Sequence, residues 1–231
     1  MRLGTVVALA ARGADRRLIS ADCLHLAAGR GILGDCHADP LSPRQLLLAG
    51  RDVYRDLALP PLALRENLLL DIDTAGLASG TVLAVGAEVR LQMMFQCEAC
   101  GQLDLVQPRL AARVGARRGM LARVLAGGPI RPGDALRDLG IRAPLWDNDW
   151  RERVRRVLDA VPDGMVVEYR QLARLAGIQS SYCRAFPRLL GKLGAGHAAR
   201  AVPAQSASSL PRWDGAGLFD ACLSGALVDG A

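Results

Sequence analysis

The first 140 residues have a rhythm that restricts what they can build: short apolar runs cut at close intervals by glycine-bearing turns. The turns read ARGADRR, LAAGRGILGD, DTAGLASG, AVGAEV and AGGPIRPGDAL. Apolar runs this brief, with Gly, Pro and Asp between them, suit strands of a few residues far better than long helices. A mostly β barrel or sandwich is the expected architecture. Helices are expected to interrupt it at SPRQLLLAGRDVYRDL (residues 42–57) and QPRLAARVG (residues 107–115).

Near residue 140 the pattern changes. LGIRAPLWDND has no strong periodicity and reads as a connection, so the expected division is 1–140, a linker at 141–149, and a second domain over 150–231. In WRERVRRVLDAVPDG, Val154, Val157, Leu158 and Val161 fall at helical spacing, and Pro162 with Gly164 stops the run. EYRQLARLAGI and SYCRAFPRLLGKLG then read as two short amphipathic helices around a turn at GIQSS, a helix-turn-helix pattern. PAQSASSLP at 203–211 reads as a surface loop.

Composition narrows the class. With 231 residues, 51% hydrophobic and 23% charged, the chain can bury one sizeable core or two modest ones. Its apolar runs fall far short of the roughly 20 residues needed to cross a bilayer. Arg12, Arg16 and Arg17 follow the first such run without a cleavage-like segment, so no signal peptide is read. A cytoplasmic protein with reduced cysteines is the expectation. The net charge of +6 is carried almost wholly by arginine, Lys192 being the only lysine, and residues 151–231 contribute +4 of it. Arginine suits bidentate phosphate contacts, though genome base composition explains the same bias.

The stretch FQCEACGQLD places Cys97 and Cys100 in a C-x-x-C pair just after the strand-like VGAEVRLQMM. That spacing fits a redox dithiol, half a zinc site, ligands to another metal, or buried small residues. No second C-x-x-C or H-x-x-x-H completes a zinc tetrahedron around it.

Taken in order, RGILGDCHAD (30–39), SPRQLLL (42–48), LRENLLL (64–70), GTVLAVGAEVRL (80–91), CEAC (97–100) and RRGMLARVLAGGPIRPGDAL (117–136) resemble the MOSC family, the β-barrel domain related to the C-terminal part of molybdenum cofactor sulfurases. The likeness spans about the first 138 residues and rests on the ordered set. Ala99 stands where the family often has proline, and Cys97 is additional. The resemblance implies that Cys100 binds molybdenum or carries sulfur at the pyranopterin cofactor, a role that suits a soft thiolate. Candidates to line its site are Asp35 and His37 in the turn, Arg44, and Arg65 with Asn67. The two arginines suit phosphate, and the amide suits the pterin edge. Each residue type has a plainer use: Asp35 as turn former, His37 as structural histidine, the arginines as surface ion pairs. The PLP-dependent sulfurtransferase domain that precedes the barrel in the sulfurases is absent from this reading, and no residue supports PLP binding. Standalone bacterial relatives imply reduction of N-hydroxylated compounds, including hydroxylated purine bases, with an electron-donor protein.

VRRVLDAVPDGMVVEYRQLARLAGI, SSYCRAFPRLLGKL and ARAV resemble the DNA-binding domain of alkylguanine-DNA alkyltransferases and alkyltransferase-like proteins. The likeness implies a small α-rich winged helix-turn-helix domain contacting duplex DNA through Tyr169, an intruding Arg184, and Arg188. The family's P-C-H-R-V signature is replaced by Ala198, Ala199, Arg200, Ala201 and Val202, so alkyl transfer has no activated thiolate. The leading expectation is a molybdenum-cofactor-dependent reductase acting on compounds such as modified purines. A sulfur or cofactor carrier using a Cys100 persulfide and a non-catalytic DNA-binding or lesion-sensing protein are the alternatives.

Overall fold

Strands made of Val, Leu and Ala, buried on both faces, dominate the first part of the chain, because the wall they form is covered inside and, in places, outside. A computed structural model describes residues 1–220. The last stretch of the expected second domain, 221–231, lies outside the described residues. The strands are β1 (Arg2–Arg12), β2 (Leu18–Ala21), β3 (Leu24–Ala27), β4 (Gly31–Ile32), β5 (Leu46–Gly50), β6 (Leu68–Leu70), β7 (Thr81–Val85), β8 (Val89–Gln96), β9 (Met120–Ala126), β10 (Gly128–Ile130) and β11 (Ala135–Arg142). Helices α1 (Arg51–Leu57) and α2 (Leu110–Val114) interrupt them.

The sheet order is β11-β7-β8-β9-β5-β6-β1-β2, and β11 also pairs with β1, so seven strands close a ring with β2 outside it. Every pairing in that ring is antiparallel except β5 with β6. This is a seven-stranded mixed β-barrel. Closure removes the open edges a sheet of this length would otherwise present. Strand β1 permits closure because it changes partner along its length: Gly4 and Thr5 face Leu136 and Ala135, whereas Ala8 and Leu9 face Leu69 and Leu68.

The interior is filled by Val6, Leu9, Leu48, Leu68, Leu83, Leu91, Met93, Val124 and their neighbours. A second cluster gathers Ala49, Val53, Leu64, Leu103, Leu110 and Val114, with Tyr54 and Ala99 packed on it. It fastens α1, α2 and the segment after the CEAC motif together.

The expectation of a helix over 42–57 is corrected. Residues 46–50 are strand β5, and the helix starts only at Arg51. The apolar run LLLAG is buried throughout, a pattern that periodicity cannot tell from a buried helix. The helix expected around 107–115 is present as α2.

A helical region forms a second unit, comprising residues 41–43 and 147–224 as far as they are described. It contains α3 (Trp150–Asp159), β12 (Val167–Glu168), α4 (Tyr169–Leu175), α5 (Phe186–Leu193), α6 (Ala195–Ala199) and β13 (Ala201–Val202). Asp149 caps α3 by accepting the Arg151 N–H at 2.9 Å. Val154, Val157, Leu158 and Val161 are buried, the face that their spacing marked out. Arg153, 1% exposed, donates to the carbonyls of Ala176, Asp147 and Asn148, which satisfies a buried charge with backbone dipoles.

The single helix expected over 181–194 is instead a 3-10 turn, Ser180–Ala185, followed by α5. Pro187 accounts for the break: it lies in the first turn of α5, where a missing N–H costs nothing, and it cannot continue a helix begun earlier. Among the described residues no helix is long and apolar enough to cross a membrane.

Gly119, just before β9, has φ +121, and a Cβ there would stand 2.4 Å from the Leu48 carbonyl oxygen. Gly119→Ala is expected to destabilise the barrel by about 2 kcal/mol or more. Gly76→Ala, where nothing lies within 4 Å, is the control and should stay within about 0.5 kcal/mol. Urea unfolding of both variants checks this.

Candidate functional site

Where β6 begins, the barrel wall has a joint: β5 runs parallel to β6 on one side and β1 antiparallel on the other. Asn67 fills it. Its N–H donates to the Leu47 carbonyl at 2.8 Å and its carbonyl accepts the Ala10 N–H at 2.9 Å. Its side chain repeats the pattern, Oδ1 accepting from Leu47 N–H at 3.0 Å and Nδ2 donating to the Ala10 carbonyl at 3.1 Å. Nδ2 also lies 3.5 Å from Asp35 Oδ2. The amide is therefore buried in the wall and engaged by backbone.

The segment leading to Asn67 is held by three side chains from different elements. Tyr54 on α1 accepts the Leu64 N–H at 3.0 Å and donates its hydroxyl to the Glu66 carboxylate, with oxygens at 2.7 and 2.6 Å. Arg118 donates Nη1 to the Leu64 carbonyl, and Arg12, at the end of β1, donates Nη2 to the Arg65 carbonyl at 2.5 Å. Arg65 itself adopts φ +56, an uncommon backbone for a long side chain. Its exposed guanidinium donates Nη1 to Gln102 Oε1 at 2.9 Å, which ties this segment to the turn after Cys100.

Two cationic side chains are thus buried near two carboxylates, Glu66 and Asp35. Arg12 and Arg118 are each 7% exposed and Glu66 is 2% exposed. Burial lowers the Arg12 pKa, and the nearby charges of Arg65 and Arg118 push the same way against the pull of Asp35. Burial raises the Glu66 pKa, and the Tyr54 hydrogen bond and the charges of Arg118 and Arg12 do not cancel it. Burial and the Glu66 charge push the Tyr54 hydroxyl well above its ordinary value. Nε of Arg12 and Nε of Arg118 are buried with no hydrogen-bond partner.

Cys97 and Cys100 follow β8. Cys97 is buried, continues the ladder by donating its N–H to the Gly119 carbonyl at 2.8 Å, and has Arg44 Nη2 4.0 Å from its sulfur. Cys100 is half-buried, in extended backbone, immediately before the 3-10 turn Gly101–Leu105, and its carbonyl accepts the Leu103 N–H at 3.0 Å. Both are free thiols. Asp35 is buried: Oδ2 accepts the Arg12 N–H at 2.8 Å, and Oδ1 accepts the His37 N–H at 2.8 Å and faces His37 Nδ1 at 3.1 Å.

The structure thus links Asp35 to Arg12, Arg12 to Arg65, and Arg65 to the turn after Cys100. The sequence reading missed Arg12, Tyr54, Glu66 and Arg118. Arg12 entered it only as a charge after an apolar run, and Arg118 is one of an adjacent arginine pair. Glu66 sat in the quoted LRENLLL and Arg118 in RRGMLARVLAGGPIRPGDAL, but neither was given a role there.

In the helical region, Tyr169 stacks edge-on to Phe186, ring centroids 5.4 Å apart, and burial raises its pKa. Arg184 lies exposed in the 3-10 turn and Arg188 exposed in the first turn of α5. Cys183 lies in that same 3-10 turn, its pKa raised by burial. Arg200 donates to the Leu158 and Val161 carbonyls and pairs with Asp163 at 3.2 Å, which ties α6 to the end of α3.

Residues 43–137 match the model of the MOSC domain, a stretch that runs from just before β5 into β11 and includes the CEAC segment. Among solved structures, the YuaD protein from Bacillus subtilis is similar at 19% identity and TM-score 0.52, covering 59% of this chain and 96% of its own. A hypothetical protein of known structure aligns at 21% identity and TM-score 0.52, over 84% of this chain and 94% of its own. YiiM from Escherichia coli aligns at 19% identity and TM-score 0.49, over 84% and 96%. At such identities the first two likenesses define the fold. No curated protein matches the sequence. The domain match begins after Asp35 and His37 and stops short of residues 150–231, so the alkyltransferase resemblance gains no support from it.

Asp35 carries a checkable pH signature. Burial pushes its carboxyl up, but hydrogen bonds from the His37 ring and from the N–H groups of Arg12 and His37 outweigh burial and hold it below its ordinary value. The unfolded chain therefore takes up the proton first. The stabilisation is complete above the unfolded pKa of about 3.9 and is lost as pH falls through the folded one. Asp35→Asn is expected to cost about 2 kcal/mol at neutral pH, with the difference from wild type fading below about pH 4. Urea titrations in chelator-treated buffer across that range test it.

Proposed function

We propose that the barrel holds the molybdenum cofactor and reduces N-hydroxylated compounds, modified purines among them, with electrons from a donor protein. The observation that carries this is the pair of buried, unpartnered guanidinium N–H groups on Arg12 and Arg118. A buried polar group left without a partner costs about 1–3 kcal/mol, more when charged, and an anionic phosphate is the group that relieves it. The pyranopterin cofactor carries such a phosphate, and its metal takes a soft thiolate. The residues therefore fit the group.

In this reading Arg12 and Arg118 hold the phosphate, Arg65 and Arg44 add positive charge at the rim, and half-buried Cys100 is the metal ligand. Asp35, with His37 against it, sets the end of β1 from which Arg12 reaches. Asn67 keeps its place in the wall and positions Arg65 rather than meeting the pterin edge. When bound, the cofactor supplies two-electron redox chemistry at its metal. Converting an N-hydroxyl group to an amine consumes two electrons and two protons and releases water. Tyr54 holds its hydroxyl proton against the Glu66 carboxylate, whose pKa burial raises.

Protein purified from a host that makes the cofactor should carry near-stoichiometric molybdenum and pterin. Cys100→Ala should lose the metal, Arg118→Met should lose both metal and pterin, and Cys97→Ala should retain them. Elemental and pterin analysis decides: wild-type protein free of molybdenum would overturn the proposal.

A second reading, contact with duplex DNA by the helical region, is supported by the exposed guanidinium groups of Arg184 and Arg188 at the start of α5. Phosphate contacts would make retention fall steeply with salt. Arg184→Ala with Arg188→Ala should weaken duplex binding in a gel-shift titration and flatten that dependence. Equal binding by wild type and variant would reject it.

A further inference from the structure

Just after β4, three consecutive side chains turn their donor atoms onto one point. Asp35, Cys36 and His37 each offer one ligand atom, and the three atoms lie within 4.8 Å of one another. Cys36 Sγ is 3.3 Å from His37 Nδ1, and the same Nδ1 is 3.1 Å from Asp35 Oδ1. Among the described residues this is the one group of three histidine, cysteine or acidic side chains that converges in this way.

The arrangement resembles a catalytic triad in composition but not in geometry. A proton relay runs from the nucleophile to one ring nitrogen and from the other nitrogen to the carboxylate. Here thiol and carboxylate meet the same nitrogen. Thiol, imidazole and carboxylate within 4.8 Å of one another is instead the pattern of metal ligation.

We propose that Asp35, Cys36 and His37 form a zinc site with three protein ligands and one position open to water. With bond lengths of about 2.0–2.3 Å, ligand atoms on a tetrahedral zinc stand roughly 3.3–3.7 Å apart. The 3.1 and 3.3 Å separations lie close to that range, and the third donor pair is within 4.8 Å. Sulfur and imidazole donors select zinc over magnesium or calcium, which prefer oxygen. On binding, the Cys36 thiol releases its proton to solvent, and the His37 ring carries its hydrogen on Nε2 so that the Nδ1 lone pair faces the ion. Thiolate and carboxylate then neutralise the double charge.

The ligand set is half prepared. Asp35 is pinned by the N–H groups of Arg12 and His37, whereas Cys36 and His37 are exposed and free to turn toward the ion. That preparation is the second-order support a metal ligand needs. It also places the site one hydrogen bond from Arg12.

The test uses the full chain made in a host unable to synthesise molybdenum cofactor and stripped with chelator, so its outcome is independent of the molybdenum reading. Zinc is titrated against a chromophoric chelator, and cobalt(II) is added as a coloured substitute. One equivalent of zinc should bind, and the cobalt complex should show a thiolate charge-transfer band. Cys36→Ser should abolish the band and weaken zinc binding by roughly tenfold or more, His37→Ala should lose the site, and Cys100→Ala should retain it. Cys36 is exposed, so its replacement should leave the zinc-free melting temperature unchanged while removing the zinc-induced rise. Absence of stoichiometric zinc binding, or binding that survives Cys36→Ser and disappears with Cys97→Ala or Cys100→Ala, overturns the proposal.

Discussion

The barrel depends on how Asn67 closes the joint between β5, β6 and β1. A side-chain amide that gives one donor and one acceptor to two neighbouring strands continues the ladder beyond the first residue of β6. An unpaired backbone group at that buried place would cost about as much as a lost hydrogen bond. Two residues upstream, the chain passes through the left-handed backbone of Arg65, and its carbonyl receives Arg12. Wall, bend and buried arginine are therefore one construction, in which each part removes a polar group that another would leave unsatisfied.

That construction gathers charged side chains where a small barrel is expected to be apolar. Arg12 and Arg118 sit on backbone carbonyls near two buried carboxylates, Asp35 and Glu66, and burial raises the Glu66 pKa. The Tyr54–Glu66 hydrogen bonds fix the geometry without consuming the Nε groups of either arginine. The second apolar cluster, through Leu64, Leu103 and Tyr54, holds the CEAC turn against the same segment.

Legibility varied with how local each cause was. The glycine-cut rhythm announced short strands, and the apolar spacing of Val154, Val157, Leu158 and Val161 marked the buried face of α3, because both depend on neighbours within a few residues. LLLAG could not be resolved, since a segment buried on both sides loses the alternation that separates strand from helix. SYCRAFPRLLGKLG read as one helix because its apolar spacing is continuous, yet Pro187 forces a fresh start at α5. Arg12 was invisible as a site residue: its partners are Arg65 and Asp35, 53 and 23 positions away.

The sequence by itself determined that this chain builds short strands before residue 140 and amphipathic helices after residue 150, and that a C-x-x-C pair follows a strand in the ordered company of RGILGDCHAD and LRENLLL. Propensity, turn chemistry and spacing act locally, so they can be read along the chain. Only the tertiary structure decided which charges share an environment and that Asn67 belongs to the wall. Those outcomes follow from ring closure, which sets β1, β6 and β9 beside partners remote in sequence and forces their polar groups to satisfy one another away from water.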